Sequence, residues 1–223
     1  MAEPSGLTTA PASRRLRAIV VYRIPYSTNV ERVALAAGHK GIPLAWIDVD
    51  RDDRSAVVAA SGQERVPVLE HEGNVVVDST EIMRYLEALK PHPPLWPAET
   101  AARAELDVFL DWFNRLWKGW PNQIEAELVD YEEPDDERIA PLSAELRSAL
   151  DVFEGLLDGR EYLWGDFSAA DCAAFPFVKY AAIPPEPDDD HLFHQILADH
   201  QPLGDDHPRL RAWIERVDAR PRA

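Results

Sequence analysis

Apolar and polar residues alternate along the first ninety positions in a way that switches between two periods. Ala18-Ile19-Val20-Val21-Tyr22 is a short apolar run, read as a strand. Val30, Val33, Ala34 and Ala37 then recur at i, i+3, i+4 and i+7, one face of an amphipathic helix. Leu44-Ala45-Trp46-Ile47-Asp48-Val49 is a second strand, so the segment forms a βαβ unit with parallel strands. Residues 51–60 fit a short helix that stops at the turn pair Ser61-Gly62. From Val66 to Val77 two apolar runs flank Glu72-Gly73-Asn74, a hairpin pattern. Ile82, Tyr85, Leu86 and Leu89 return to helical spacing. The order β-α-β-α-β-β-α predicts a mixed four-stranded sheet with helices packed on it.

The stretch Lys90-Pro91-His92-Pro93-Pro94-Leu95-Trp96-Pro97 carries four prolines in eight residues. Missing N–H donors and fixed φ exclude a helix or a central strand there, so it marks a linker. Beyond it the pattern is helical throughout. Leu106, Phe109, Leu110 and Phe113 make one stripe, and Leu146, Ala149, Leu150, Phe153 and Leu157 another. Glu127 to Glu137 reads as a solvated acidic loop between them. Ser168 and Asp171 have capping-box spacing before a buried helix that holds the single cysteine, Cys172, as a small apolar residue. Residues 184–204 read as a Pro-, Asp- and His-rich insertion, followed by a last helix from about Pro208 to Val217. The expected organisation is a disordered tail at 1–16 with no signal peptide, a first domain at 17–90, a linker at 91–98 and an all-helical domain at 99–223.

Apolar residues make up 46% of the 223 positions, enough for the cores of two small domains. The formal charge of −17 argues against nucleic acid, whose phosphates need clustered Lys and Arg, and against an anionic membrane surface. No apolar run is long enough to span a bilayer. One cysteine permits no internal disulfide, which fits a reducing, cytoplasmic setting. His191, His194, His200 and His207 lie among Asp188-Asp189-Asp190 and Asp205-Asp206. Their spacing matches no closed zinc pattern, so a solvated loop without metal is the expectation.

Chemistry is concentrated where the first strand hands over to the first helix, at Ile24-Pro25-Tyr26-Ser27-Thr28-Asn29. The first N–H groups of a helix are unpaired and its dipole is positive there, which suits an anion. Thr28 and Glu31 have capping-box spacing, which would leave the Ser27 hydroxyl free. Tyr26 either lines such a site or packs over it as a lid. A second polar helix start follows the hairpin, at Asp78-Ser79-Thr80-Glu81. Pro67 must begin its strand or lie at an edge, and a cis Val66-Pro67 bond would aim the Val66 backbone outward.

Four of these motifs together resemble the glutathione S-transferase superfamily, from about Ala18 to the C-terminus. They are the serine-type, phi-like turn from Pro25 to Val33, Val66-Pro67-Val68-Leu69, Asp78-Ser79-Thr80-Glu81-Ile82, and Leu163 through Asp171. The resemblance implies an α/β plus all-α protein, a thioredoxin-like N-terminal domain followed by an all-helical one, usually as a homodimer. It implies glutathione as co-substrate, Ser27 as the catalytic hydroxyl, and Val66 with Pro67 as the strand that pairs with the cysteinyl part. Asp78, where relatives more often have Glu, and Ser79 would hold the γ-glutamyl end. Arg65 and Lys40 are candidates for the glycyl carboxylate. The second substrate would be a small hydrophobic electrophile between the domains, with Tyr26, Trp112, Phe113, Trp117 and Trp120 available to line its site. Core packing is the alternative for each of Trp112, Phe113, Trp117 and Trp120, though four large aromatics in nine residues exceed what a single buried face absorbs. A catalytically silent binding or scaffold protein, and an enzyme of a different small thiol, are the competing readings.

Overall fold

The computed structural model describes residues 18–223; the tail expected at 1–16 lies outside them. A four-stranded sheet forms from β1 (Ile19–Arg23), β2 (Leu44–Asp48), β3 (Val68–His71) and β4 (Asn74–Val77), in the order β2-β1-β3-β4. β1 pairs parallel with β2 and antiparallel with β3, with Val21 opposite both Trp46 and Leu69, and β3 pairs antiparallel with β4. Val21 and Leu69 are fully buried, as central strands covered on both faces require. α1 (Thr28–Lys40) and α3 (Ser79–Leu89) pack against each other, while the short α2 (Ser55–Ser61) lies against the β3-β4 hairpin. α1 ends at Gly41, whose φ of 57° is the left-handed C-cap that glycine adopts without strain.

The second domain is helical: α4 (Thr100–Trp112), a π-turn at Phe113–Trp117, α5 (Gly119–Asp130), α6 (Asp136–Leu156), α7 (Ala169–Val178), α8 (Leu192–His200) and α9 (Pro208–Asp218). α7 is buried along its whole length and packs against α1, so the domains share one continuous core across the proline-rich boundary. The last residues return to the first domain. Trp46 Nε1 donates to the Ala223 carbonyl at 3.0 Å, and the Ala223 N–H donates to that of Ala34 at 3.1 Å. Gly38 lies directly under the Pro221 backbone, where a Cβ would collide.

Three sequence expectations are corrected. The 184–204 segment is not all loop, because α8 occupies most of its second half and buries Ile196 and Leu197. The acidic loop is reduced to the few residues between α5 and α6. Glu127, the first residue of the expected loop, belongs to α5 and is buried, accepting from the Asp135 N–H at 3.1 Å and pairing with Arg138. Thr28 is not the cap of α1: Ser27 is the N-cap residue, Thr28 is buried in the first turn, and Glu31 pairs with Lys179 and Arg222 instead.

Candidate functional site

The turn into α1 is built by Tyr26, whose φ of 64° is left-handed and reverses the chain. Ser27 donates its backbone N–H to the Ile24 carbonyl at 3.2 Å, and its own carbonyl accepts from Glu31 N at 3.0 Å. Its side chain makes no capping hydrogen bond. The hydroxyl is therefore half-exposed at the positive end of a 13-residue helix and uncommitted.

Ser27 lines a cleft of about 1230 Å³ between the two domains. One wall comes from the β2–α2 region with Arg51, Arg54 and Val58, the floor from Arg65 and Val66, and the far wall from Glu125, His191, Phe193 and His194. A smaller recess of about 250 Å³ adjoins it, sharing Asn29, Arg65 and Val66, and adds Pro67, Asp78, Ser79 and Lys118. Val66-Pro67 is cis. The structure thus places Ser27, Arg65 and Val66 on the cleft and Arg65, Val66, Pro67, Asp78 and Ser79 on the adjoining recess.

Asp78 is the N-cap of α3, with its Oδ1 accepting from Thr80 N at 2.8 Å and Glu81 N at 3.2 Å. Behind it, Arg32 is buried between Phe177 and Phe113, 4.8 and 5.4 Å from the ring centres. It donates to Asn114 Oδ1 at 2.8 Å and to Ser79 Oγ at 3.4 Å. Burial lowers its pKa to about 9, against the pull of Asp78. Lys118 reaches across from the helical domain to donate to Asn29 Oδ1 at 3.0 Å. Burial, then the neighbouring Arg32, lowers its pKa to about 7. Arg32 and Lys118 therefore both interact with the Asp78 carboxylate, Arg65 adds a further positive charge beside Lys118, and the recess favours an anionic group.

Several expected residues lie elsewhere. Lys40 is buried against Glu87 and donates to the Lys90 and Pro93 carbonyls at 2.8 and 2.9 Å, so it ties α1 to the linker and does not reach the cleft or the recess. Phe113 and Trp117 are fully buried and stacked at 4.6 Å, and Trp112 and Trp120 pack on the same core. None of the four lines the cleft. The π-turn adds a residue to the helical repeat, and within it Asn114 accepts from Arg32 and donates to Thr80 Oγ1 at 3.2 Å. Tyr26 is not in that cleft's wall but lines, together with Ser27, a separate recess of about 380 Å³; its hydroxyl donates to Asp188 Oδ1 at 2.8 Å, joining the turn into α1 to the 184–191 segment.

The sequence reading missed Lys118 and the far wall, and gave Asn29 no role of its own although it singled out the turn that holds it. A lysine inside Trp117-Lys118-Gly119-Trp120 was the available signal, because a charge amid aromatics needs a polar destination. The expected solvated histidine loop is also corrected. His191 and His194 converge on the buried Asp189, with Nδ1–Oδ distances of 2.8 and 2.6 Å. Burial pushes the Asp189 carboxyl up, but the bonds from His194 and His191 outweigh it and hold it below its usual range. Across the cleft wall, burial raises the carboxyl of Glu125. His200 and His207 lie apart, on Ser143 and Asp151.

Comparison with known proteins agrees with this architecture. Residues 21–94 match the family described as "Glutathione S-transferase, N-terminal domain", and residues 136–216 match "Glutathione S-transferase, C-terminal domain". A "Probable glutathione S-transferase" of Nicotiana tabacum is 28% identical over 152 residues, 67% of this chain and 65% of that protein. "FtsZ-localized protein A" of Caulobacter vibrioides is 29% identical over 166 residues, 69% of this chain and 73% of that one. The crystal structure of the theta class glutathione S-transferase of Xanthomonas axonopodis pv. citri with glutathione bound superposes with a TM-score of 0.68. It is 27% identical and covers 92% of this chain and 94% of that one. With both domain families matched in order on a thioredoxin-like domain followed by helices, the chain belongs to the glutathione S-transferase superfamily.

Proposed function

We propose that the protein is a glutathione transferase in which Ser27 keeps the glutathione sulfur ionised for attack on an electrophile. The observation that carries this reading is the Ser27 hydroxyl, free of any capping bond and open to the interdomain cleft. A free thiol with pKa near 8.5 is only a few per cent thiolate at pH 7. One hydrogen bond to the charged sulfur contributes about 1.5–3 kcal/mol in a protected site. That lowers the thiol pKa by about one to two units and raises the thiolate fraction roughly tenfold. Ser27 stabilises the nucleophile and does not itself attack.

The other groups position the sulfur. The Val66 backbone, at the cis bond, pairs with the cysteinyl part, and Arg65 offers charge to the glycyl carboxylate. Ser79 and Lys118 take the γ-glutamyl carboxylate, and the Asp78 oxygen left over from capping takes its ammonium group. The cleft beyond Ser27 combines an apolar strip, Ile24, Val58 and Phe193, with Arg51, Arg54, Glu125 and two histidines. That lining suits an electrophile bearing polar or ionisable groups better than the purely hydrophobic one the sequence suggested. Among the described residues no helix is long and apolar enough to cross a membrane, and we place the enzyme in the cytoplasm as a homodimer.

The test is binding to immobilised glutathione and turnover of a chloro-nitroarene by the wild type and Ser27→Ala. Wild-type turnover with about a tenfold loss in Ser27→Ala near neutral pH is expected. Undiminished activity in Ser27→Ala removes Ser27 from its role. The resemblance to FtsZ-localized protein A supports a second reading, a binding protein built on the same fold. Absence of both binding and turnover favours it.

A further inference from the structure

Asp189, His191 and His194 form a compact Asp-x-His-x-x-His cluster where the 184–191 segment enters α8. One donor atom from each lies within 4.8 Å of the others. Asp189 and His194 are 5% and 2% exposed, so the cluster is held and not a surface coincidence. The rings are fixed by stacking: His191 on His194 at 4.8 Å, and His194 on Tyr180 at 4.8 Å. His191 and His194 also line the cleft that Ser27 lines, which leaves a path for an ion and its water ligands.

We propose that Asp189, His191 and His194 bind a divalent first-row transition ion, zinc(II) foremost, in the wall of the interdomain cleft. Two imidazole nitrogens and one carboxylate oxygen are a borderline donor set that suits zinc, and three protein ligands leave a coordination position open. Bonds of about 2.0–2.2 Å in a tetrahedral site place donors roughly 3.3 Å apart; the Asp189–His191 and Asp189–His194 pairs stand at 2.8 and 2.6 Å and open slightly as the ion replaces the protons they share. Glu125, in the same wall, is a further oxygen within the cleft. The surrounding charge favours a cation, since Glu186 and Asp188 flank the site in sequence and Asp190 offsets the one arginine beside it. Two cations oppose it. Lys179 is already paired with Glu31 at 2.6 Å. Arg51 lies 3.0–3.1 Å from the His191 nitrogens but is exposed and can stay with Asp190, its partner at 2.9 Å, as the ion enters. The proposal is independent of the thiol chemistry at Ser27.

The test is calorimetric titration of the chelator-treated full-length protein with zinc chloride at neutral pH, paired with the visible absorption of its cobalt(II) form. One equivalent bound at micromolar or tighter affinity, with the intense cobalt bands of a four-coordinate site, is expected. Asp189→Asn and His194→Gln should each weaken binding at least tenfold. Circular dichroism checks their folding, and His191→Asn, at a half-buried position outside the core, repeats the test where the fold is least at risk. No saturable binding overturns the proposal. So does zinc binding that all three substitutions leave unchanged, which would place the ion elsewhere on this acidic protein.

Discussion

Two helix starts in this protein are built from similar residues and finished in opposite ways. At α7, Ser168 and Asp171 form a complete capping box, and Asp171 also accepts from Leu163 N at 3.0 Å and Trp213 Nε1 at 2.8 Å. Every oxygen there is spoken for and the site is sealed in the core. At α1, Ser27 holds the same cap position with its side chain unbonded beside a cleft. The α3 start lies between these extremes, with one Asp78 oxygen capping the helix. A cap that is satisfied contributes stability; one left open is available to a ligand.

The contrast predicts where substitution costs folding and where it costs chemistry. The largest effect is expected for Asp171→Ala, which strands four buried donors, the N–H of Leu163, the N–H and hydroxyl of Ser168, and Trp213 Nε1. A loss of about 3–5 kcal/mol, read from the denaturant midpoint, is expected. Next is Gly38→Ala near the closed end of α1, where the new methyl meets the Pro221 backbone. Overpacking there should cost about 1–3 kcal/mol. The paired comparison is Ser168→Ala against Ser27→Ala. The first should lose about 1 kcal/mol and the second less than about 0.5, because only the first removes a capping bond. If both lose equally, the α1 start is an ordinary cap.

The smallest expected effect is a pH dependence. Lys118, with its pKa lowered to about 7 by burial, is charged below that pH and neutral above it. Its attraction for the γ-glutamyl carboxylate should therefore fade as pH rises through 7. Glutathione affinity should drop a few-fold between pH 6 and 8.5, and Lys118→Met should flatten that part of the profile. The same depression means that the unfolded chain holds the Lys118 proton more tightly, so this group's contribution to stability increases as pH rises from about 7 to 10.

Much of this was legible in the sequence because it depends on local rules. The switch between periods of two and 3.6 gives the sheet and helices, the prolines at 91–97 exclude regular structure between α3 and α4, and the Asp78 and Ser168 starts follow from residue type and spacing. What was not legible depends on distant partners. Lys40 has an exposed-looking sequence context, yet Glu87 and two linker carbonyls hold it in the core. The aromatic run from Trp112 to Trp120 reads as two-faced on a helix, but Phe113 and Trp117 continue the buried Leu106–Phe109 stripe and Trp112 and Trp120 pack half-buried on the same core, so none is left for the cleft. Thr28 has the spacing of a cap, and only the Tyr26 turn moves the boundary back by one residue. The Asp189 cluster is local in sequence but becomes a cluster only once α8 forms and Tyr180 stacks beneath it.

The central claim concerns the charge state of a sulfur beside Ser27. The direct measurement is the ultraviolet thiolate absorbance of glutathione bound to the protein, followed against pH in the wild type and in Ser27→Ala. The account predicts a bound thiol pKa about one to two units below that of free glutathione, with most of the shift lost in Ser27→Ala. An equal pKa in the two proteins would contradict it.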